Sequence, residues 1–144
     1  MWIEEHGSKL LYTITKTWDN RDTGHAPIHL TLQRTDVHHV QLTISAPYFN
    51  DPPNPGGTPG KPFQQLWDYE VVEAFFLSDD GKYLELEFCP HGQHLVLLLN
   101  GRRNMWKVFS TFSCNLYLFW WTKVVYETSE SVPLFHNRKL SATK

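Results

Sequence analysis

The sequence predicts an all-β chain folded as an antiparallel β-sandwich, on three observations. Short segments alternate apolar and polar residues with the period of a strand, Gly- and Pro-rich stretches separate them, and no segment sustains a helical period. Aromatic residues make up 15% of the chain, with six tryptophans, a composition that suits β-structure. At 144 residues the chain is one domain or part of one, and long enough to bury a core.

Leu10 to Thr17 is the first candidate strand, with Leu10, Tyr12 and Ile14 alternating against Leu11, Thr13 and Thr15. Ile28 to Arg34 (IHLTLQR) and Val40 to Ala46 (VQLTISA) alternate cleanly around the turn signal Thr35-Asp36, which predicts a hairpin with one buried face. Pro47 to Phe63 holds six prolines and three glycines and cannot form a regular element. A loop crossing between sheets explains this stretch better than a polyproline ligand does.

Leu66 to Arg103 carries the most information, because it reads as three antiparallel strands whose register follows from the turns. With Ser78 to Lys82 as a Gly-containing hairpin loop, Leu77 pairs with Tyr83, Phe76 with Leu84, Ala74 with Leu86 and Val72 with Phe88. With His91-Gly92 as the centre of a second hairpin flanked by Pro90 and Gln93, Phe88 faces Leu95, Leu86 faces Leu97 and Leu84 faces Leu99. One sheet face is then wholly apolar. The other carries Val71, Glu73, Phe75 and Leu77, then Tyr83, Glu85, Glu87 and Cys89, then His94, Val96, Leu98 and Asn100.

This register sets Glu73 opposite Glu87. Directly opposed carboxylates repel, so a cation, an arginine or a shared proton belongs between them. Arg102 and Arg103, at the end of the third strand, are the nearest candidates in sequence, and pairing with Glu73, Glu85 and Glu87 accounts for them better than a grip on an external phosphate. Phe75 and Tyr83 interleave with the carboxylates, as in a ligand-binding face. A general acid/base pair would need two carboxyls in different environments, and no nucleophile or cofactor motif accompanies them.

The rest of the composition excludes more than it proposes. A net charge of −2 gives no field to recruit nucleic acid or an anionic membrane, although Asp68 to Glu87 holds seven acids against Lys82 alone. Cys89 and Cys114 make no disulfide framework. The acidic start lacks the charge and apolar run of a signal peptide, so the expectation is an intracellular, cytoplasmic setting. Cys89, His91 and His94 lack the spacing of a structural zinc site, and Asp79-Asp80 needs no calcium to make its turn. No phosphate-binding glycine loop, hydrolase elbow or dinucleotide fingerprint occurs. The expectation is therefore a non-enzymatic chain with no catalytic residues, no cofactor and no metal.

Trp18-Asp19, Ser45 to Pro53, Gly57 to Phe63, Leu66 to Phe76, and Cys89 to Leu99 followed by Gly101 to Asn104 closely resemble the chromosome 4 open reading frame 33 protein family, over about residues 17–107. More distantly, Asp68-x-x-Val71 or Val72-Glu73-x-Phe75, Tyr83 to Glu87 and Pro90-x-Gly92 are similar to family 9 carbohydrate-binding modules and their DOMON-like relatives. The resemblance implies an immunoglobulin-like or jelly-roll-like sandwich and brings no activity with it. The second likeness implies that Trp67, Tyr69, Glu73, Glu85 and Trp106 are analogous to sugar-contacting positions. With Glu87, Arg102 and Arg103 these form the expected ligand-binding set, for a small molecule or glycan; a protein-interaction sandwich is the alternative, and a glycoside hydrolase-like enzyme comes third.

Beyond Lys107 the sequence departs from that family, as a splice variant or truncated chain would. Residues 1–107 are thus expected to form an incomplete, truncated sandwich domain, and 108–144 a divergent, partly disordered tail. Within the tail Leu116 to Val125 is a candidate strand, too short and interrupted for a membrane span.

Overall fold

The computed structural model describes residues 9–17, 19–36 and 40–108, together with the backbone of two strands at 114–119 and 123–128. Among the described residues all of the regular structure is β apart from one 3-10 turn, Leu66–Asp68. The strands are β1 (Lys9–Ile14), β2 (Ile28–Arg34), β3 (Val40–Ser45), β4 (Val72–Leu77), β5 (Lys82–Phe88), β6 (His94–Asn100), β7 (Met105–Val108), β8 (Cys114–Phe119) and β9 (Lys123–Thr128). They form two antiparallel sheets, ordered β1-β2-β3-β9-β8 and β4-β5-β6-β7, each belonging to its own compact unit.

In the first sheet the expected hairpin is present. Leu30 pairs with Ile44 and Leu32 with Leu42, and these four alternate residues are the buried ones on β2 and β3. Alternation in the sequence is thus alternation of burial, as a sheet wetted on one side requires. β8 and β9 lie in the segment expected to diverge, where the structure has a hairpin, with β9 paired to β3, in place of a single strand over Leu116 to Val125. No helix among the described residues is long and apolar enough to cross a membrane.

In the second sheet the β4–β5 register is the expected one: Leu77 with Tyr83, Phe76 with Leu84, Ala74 with Leu86, Glu73 with Glu87 and Val72 with Phe88. The β5–β6 register is not. Phe88 pairs with His94, Leu86 with Val96, Glu85 with Leu97 and Leu84 with Leu98, one residue away from expectation. The cause is the turn. Cys89 N–H bonds to Gln93 O at 3.0 Å and Gly92 N–H to Cys89 O at 2.9 Å, and Gly92 takes φ 96°. The loop is therefore three residues, Pro90-His91-Gly92, with Pro at the second position of a tight turn and Gly in the left-handed position that follows it. Ser78 to Lys82 repeats the device: Ser78 N–H bonds to Lys82 O, Gly81 N–H to Ser78 O, and Gly81 has φ 81°.

The one-residue shift exchanges the two faces of β6. Val96 and Leu98 join Ala74, Leu84, Leu86 and Phe88 on one side, and fully buried His94 lies with them, on the face opposite the expected one. Leu95, Leu97 and Leu99 move to the glutamate side. There they form a cluster with Leu66 and Cys89, against which Phe63, Val71, Tyr83 and Val108 pack. Each fully buried Leu is worth about 1.5–3 kcal/mol, so this cluster is a second apolar layer and the glutamate face is not a solvated one.

The chain from Gly60 to Val71 makes that layer possible. Gly60 N–H bonds to Gly92 O at 2.8 Å and Phe63 N–H to His94 O at 3.0 Å, so Pro62 runs as a parallel bridge beside the start of β6. The Pro-rich loop before it is tied down rather than free. The Glu70 carboxylate accepts from Phe49 N–H (2.9 Å) and Asp51 N–H (3.4 Å), and Gln93 Nε2 donates to Gly56 O (2.8 Å). Gly57 has φ 76°, and a Cβ there would lie 2.9 Å from the Phe63 ring.

Candidate functional site

Glu73, Glu85 and Glu87 project from the same face of β4 and β5, by alternation on β5 and by cross-strand pairing of Glu73 with Glu87. One carboxylate oxygen of each lies within 4.8 Å of those of the other two. Glu73 and Glu85 are half-buried, whereas Glu87 is wholly buried, at 0% exposure. Its partner on β6 is Leu95, so the Leu95–Leu97–Leu99 row is its apolar neighbour.

The electrostatics follow from that placement. Burial pushes the Glu87 carboxyl up to about 8, with the negative charges of Glu85, Glu73 and Asp68 adding to the effect. Burial also pushes Glu85 up to about 7, with Glu73 adding. Loss of water disfavours the charged form, and neighbouring like charges disfavour it further. The Glu85 and Glu87 carboxyls are close enough to influence each other's proton, yet neither Glu87 oxygen meets a donor in hydrogen-bonding geometry. A buried carboxylate without a donor is costly, and a proton held between Glu87 and Glu85 lowers that cost.

The expected ligand-binding set divides in two. Glu73, Glu85 and Glu87 come together. Trp67 belongs to the 3-10 turn whose Leu66 is fully buried in the neighbouring cluster, and its own side chain is 42% exposed. Tyr69 follows the turn and meets Phe63 edge-on at 5.9 Å. Phe75 and Tyr83, on the same face as the carboxylates, contact at 6.1 Å between ring centres. Arg102, Arg103 and Trp106 lie elsewhere. The arginines are exposed in the β6–β7 turn, where Gly101 N–H bonds to Gly81 O, and Trp106 packs under the Lys82 ammonium at 5.9 Å. Lys82 is five residues from Glu87 along β5, about 17 Å at strand rise. The arginines are thus at the wrong end of the sheet to neutralise the Glu73–Glu87 pair, contrary to expectation.

Sequence reasoning missed Asp68, which adds its charge to the Glu87 site from the 3-10 turn, and the leucines beside it. The repeated x-x-Gly pattern of Asp79-Asp80-Gly81 and Pro90-His91-Gly92 was the available signal. Applying the first loop's length to the second gives the observed register.

Among the described residues these observations define an all-β fold with a buried to half-buried carboxylate cluster near a tryptophan-bearing turn, and comparison with known proteins agrees with the resemblance drawn from the residues. Over 97 residues, 67% of this chain, it is 60% identical to the human protein named UPF0462 protein C4orf33, covering 48% of that protein. The mouse homologue is 59% identical over 97 residues and the zebrafish homologue (Danio rerio) 50% over 94. The matched segment is homologous to these proteins, and the chain spans about half the length of the curated relatives it matches. No protein-family model matches the chain, and no solved structure matches it. The likeness to family 9 carbohydrate-binding modules thus rests on the sequence pattern alone.

Proposed function

We propose that this chain is a non-enzymatic binding domain whose ligand contacts the open side of the Glu73–Glu85–Glu87 cluster, and that the ligand is a carbohydrate or similar polyol. The observation that carries this reading is the exposed Trp67 ring on a turn whose Leu66 is packed into the Leu95–Leu97–Leu99 layer and whose Asp68 is near enough for its charge to act on Glu87. A flat apolar ring beside hydrogen-bond acceptors is the surface a sugar ring uses. Burial raises both Glu85 and Glu87, whereas acid/base catalysis of glycoside cleavage needs one carboxyl raised and its partner left ordinary. In this reading the domain works in the reducing cytoplasm, where buried Cys89 stays a free thiol.

The test is thermal unfolding of the full chain across a glycan panel, with Trp67→Ala alongside. A sugar that raises the melting temperature of the natural chain, and not that of the variant, supports the reading. No response to any glycan contradicts it. A protein-binding reading has its own observation: Met105 and Trp106, 46% and 65% exposed, lie on edge strand β7. Capture of a partner that is lost in Trp106→Ala and retained in Trp67→Ala would favour that alternative.

A further inference from the structure

We infer that strand β7 is a docking edge for an extended acidic peptide of a partner protein, added to the sheet as its next strand beside Trp106 and the Arg102-Arg103 turn. The inference rests on the protein-binding reading of Met105 and Trp106, whose partner chemistry it names, and is independent of the sugar reading. Its first support is how β7 is exposed. The order β4-β5-β6-β7 ends at β7 among the described strands. The opposite edge, β4, exposes Leu77 alone, whereas β7 exposes Met105, Trp106 and Lys107. Met105 pairs with Leu99 and Lys107 with Leu98, so these two side chains take opposite faces of the sheet, and Trp106 is the extra residue of the bulge between them. A strand open on both faces suits another strand arriving side by side, whose backbone takes up the N–H and C=O groups of the edge. A membrane would meet one face only.

Charge selects the partner. Arg102 and Arg103 are exposed in the turn that leads into β7, and neither meets a carboxylate at ion-pair distance among the described residues. Lys82 differs from them. Its ammonium is bonded to Asp80 at 2.5 Å and lies 5.9 Å from the centre of the Trp106 ring, so its charge is met locally while it holds the ring in place. With Lys107 on the strand itself, the two arginines make this edge basic. Opposed like charges across a strand pair are unfavourable and opposite charges favourable, so the edge rejects a second copy of itself and accepts an acidic strand. The net charge of −2 on the whole chain means that this preference is local and not a general attraction for polyanions. Trp106 supplies the anchor, since tryptophan and arginine carry much of the binding energy where proteins meet.

The experiment uses the full chain and a fluorescein-labelled synthetic peptide of alternating glutamate and valine, followed by fluorescence anisotropy without any glycan. Affinity is expected to fall about tenfold or more in Trp106→Ala and in Arg102→Glu. It is expected to weaken as salt rises from about 50 to about 500 mM, and to be unchanged in Arg21→Glu, the same charge reversal in the other compact unit. Amide hydrogen exchange reads the strand addition itself: protection of the Met105–Val108 amides rises on binding. Because only alternate residues of an added strand pair with the edge, at least one of the two peptides N-methylated at alternate positions loses binding. No binding at millimolar peptide, equal binding of a lysine–valine counterpart, or an equal loss in Arg21→Glu overturns the inference. Binding without protection of the β7 amides overturns the strand addition, and tighter binding to phosphatidylserine vesicles or to single-stranded RNA than to the peptide overturns the partner class.

Discussion

On one side of β5, Leu84, Leu86 and Phe88 are buried beside Ala74, Val96 and Leu98; on the other, Glu85 and Glu87 share their layer with Leu95, Leu97 and Leu99. The first side is what hydrophobic patterning alone would build. The second has equally good apolar neighbours, yet it holds a carboxyl at 0% exposure where a leucine would pack. Stability does not ask for that carboxyl, so the difference between the faces separates the side that packing alone accounts for from the side that the proposed ligand would contact.

Leu97→Ala and Leu98→Ala, adjacent on β6, break the comparison most severely. Each is expected to cost about 2–5 kcal/mol in denaturant unfolding, since each removes a buried side chain from a filled layer. Only Leu97→Ala is expected to lower the carboxyl titration of Glu85 as well, because Leu97 is its cross-strand partner and water would enter there.

A pH series on metal-free protein sharpens the same contrast. Glu85 and Glu87 hold their protons more tightly folded than unfolded, so their contribution is fully present below the unfolded carboxyl value near pH 4 and is lost as pH rises through 7 to 8. Unfolding free energy is expected to decline across that window. In Glu87→Gln the decline is expected to shrink by half or more, leaving that variant the more stable protein at pH 8.

Two smaller effects concern the loops that hold the faces. Gly57→Ala places a methyl against Phe63 in left-handed backbone and is expected to cost about 1–3 kcal/mol by thermal melting. Arg103 also sits in left-handed backbone, at φ 59°, and Arg103→Gly is expected to gain about 0.5–1 kcal/mol. A loss of stability in that variant would show that the arginine side chain is held in the fold.

Much of this was legible in the residues. Strict alternation gave β2 and β3 and their buried face, and Asp-Asp-Gly gave the β4–β5 register, and with it Glu73 opposite Glu87. The β5–β6 register was not recovered, because every residue from Leu95 to Leu99 is apolar and the strand offers no polar position to mark its outer face. Only the turn could decide, and Pro90-His91-Gly92 admits a two-residue or a three-residue loop until Gly92 is given its positive φ. The site suffered the same loss. Sequence order places Arg102 and Arg103 next after the glutamate strands, whereas pairing carries them to the opposite end of the sheet.

The most direct test is the carboxyl titration of Glu87 in metal-free, full-length protein, followed by side-chain carbon NMR with Glu87→Gln for assignment. A midpoint near 8 is the expected result. A midpoint between 4 and 5 would mean that Glu87 is solvated and that the two faces of the sheet do not differ as described.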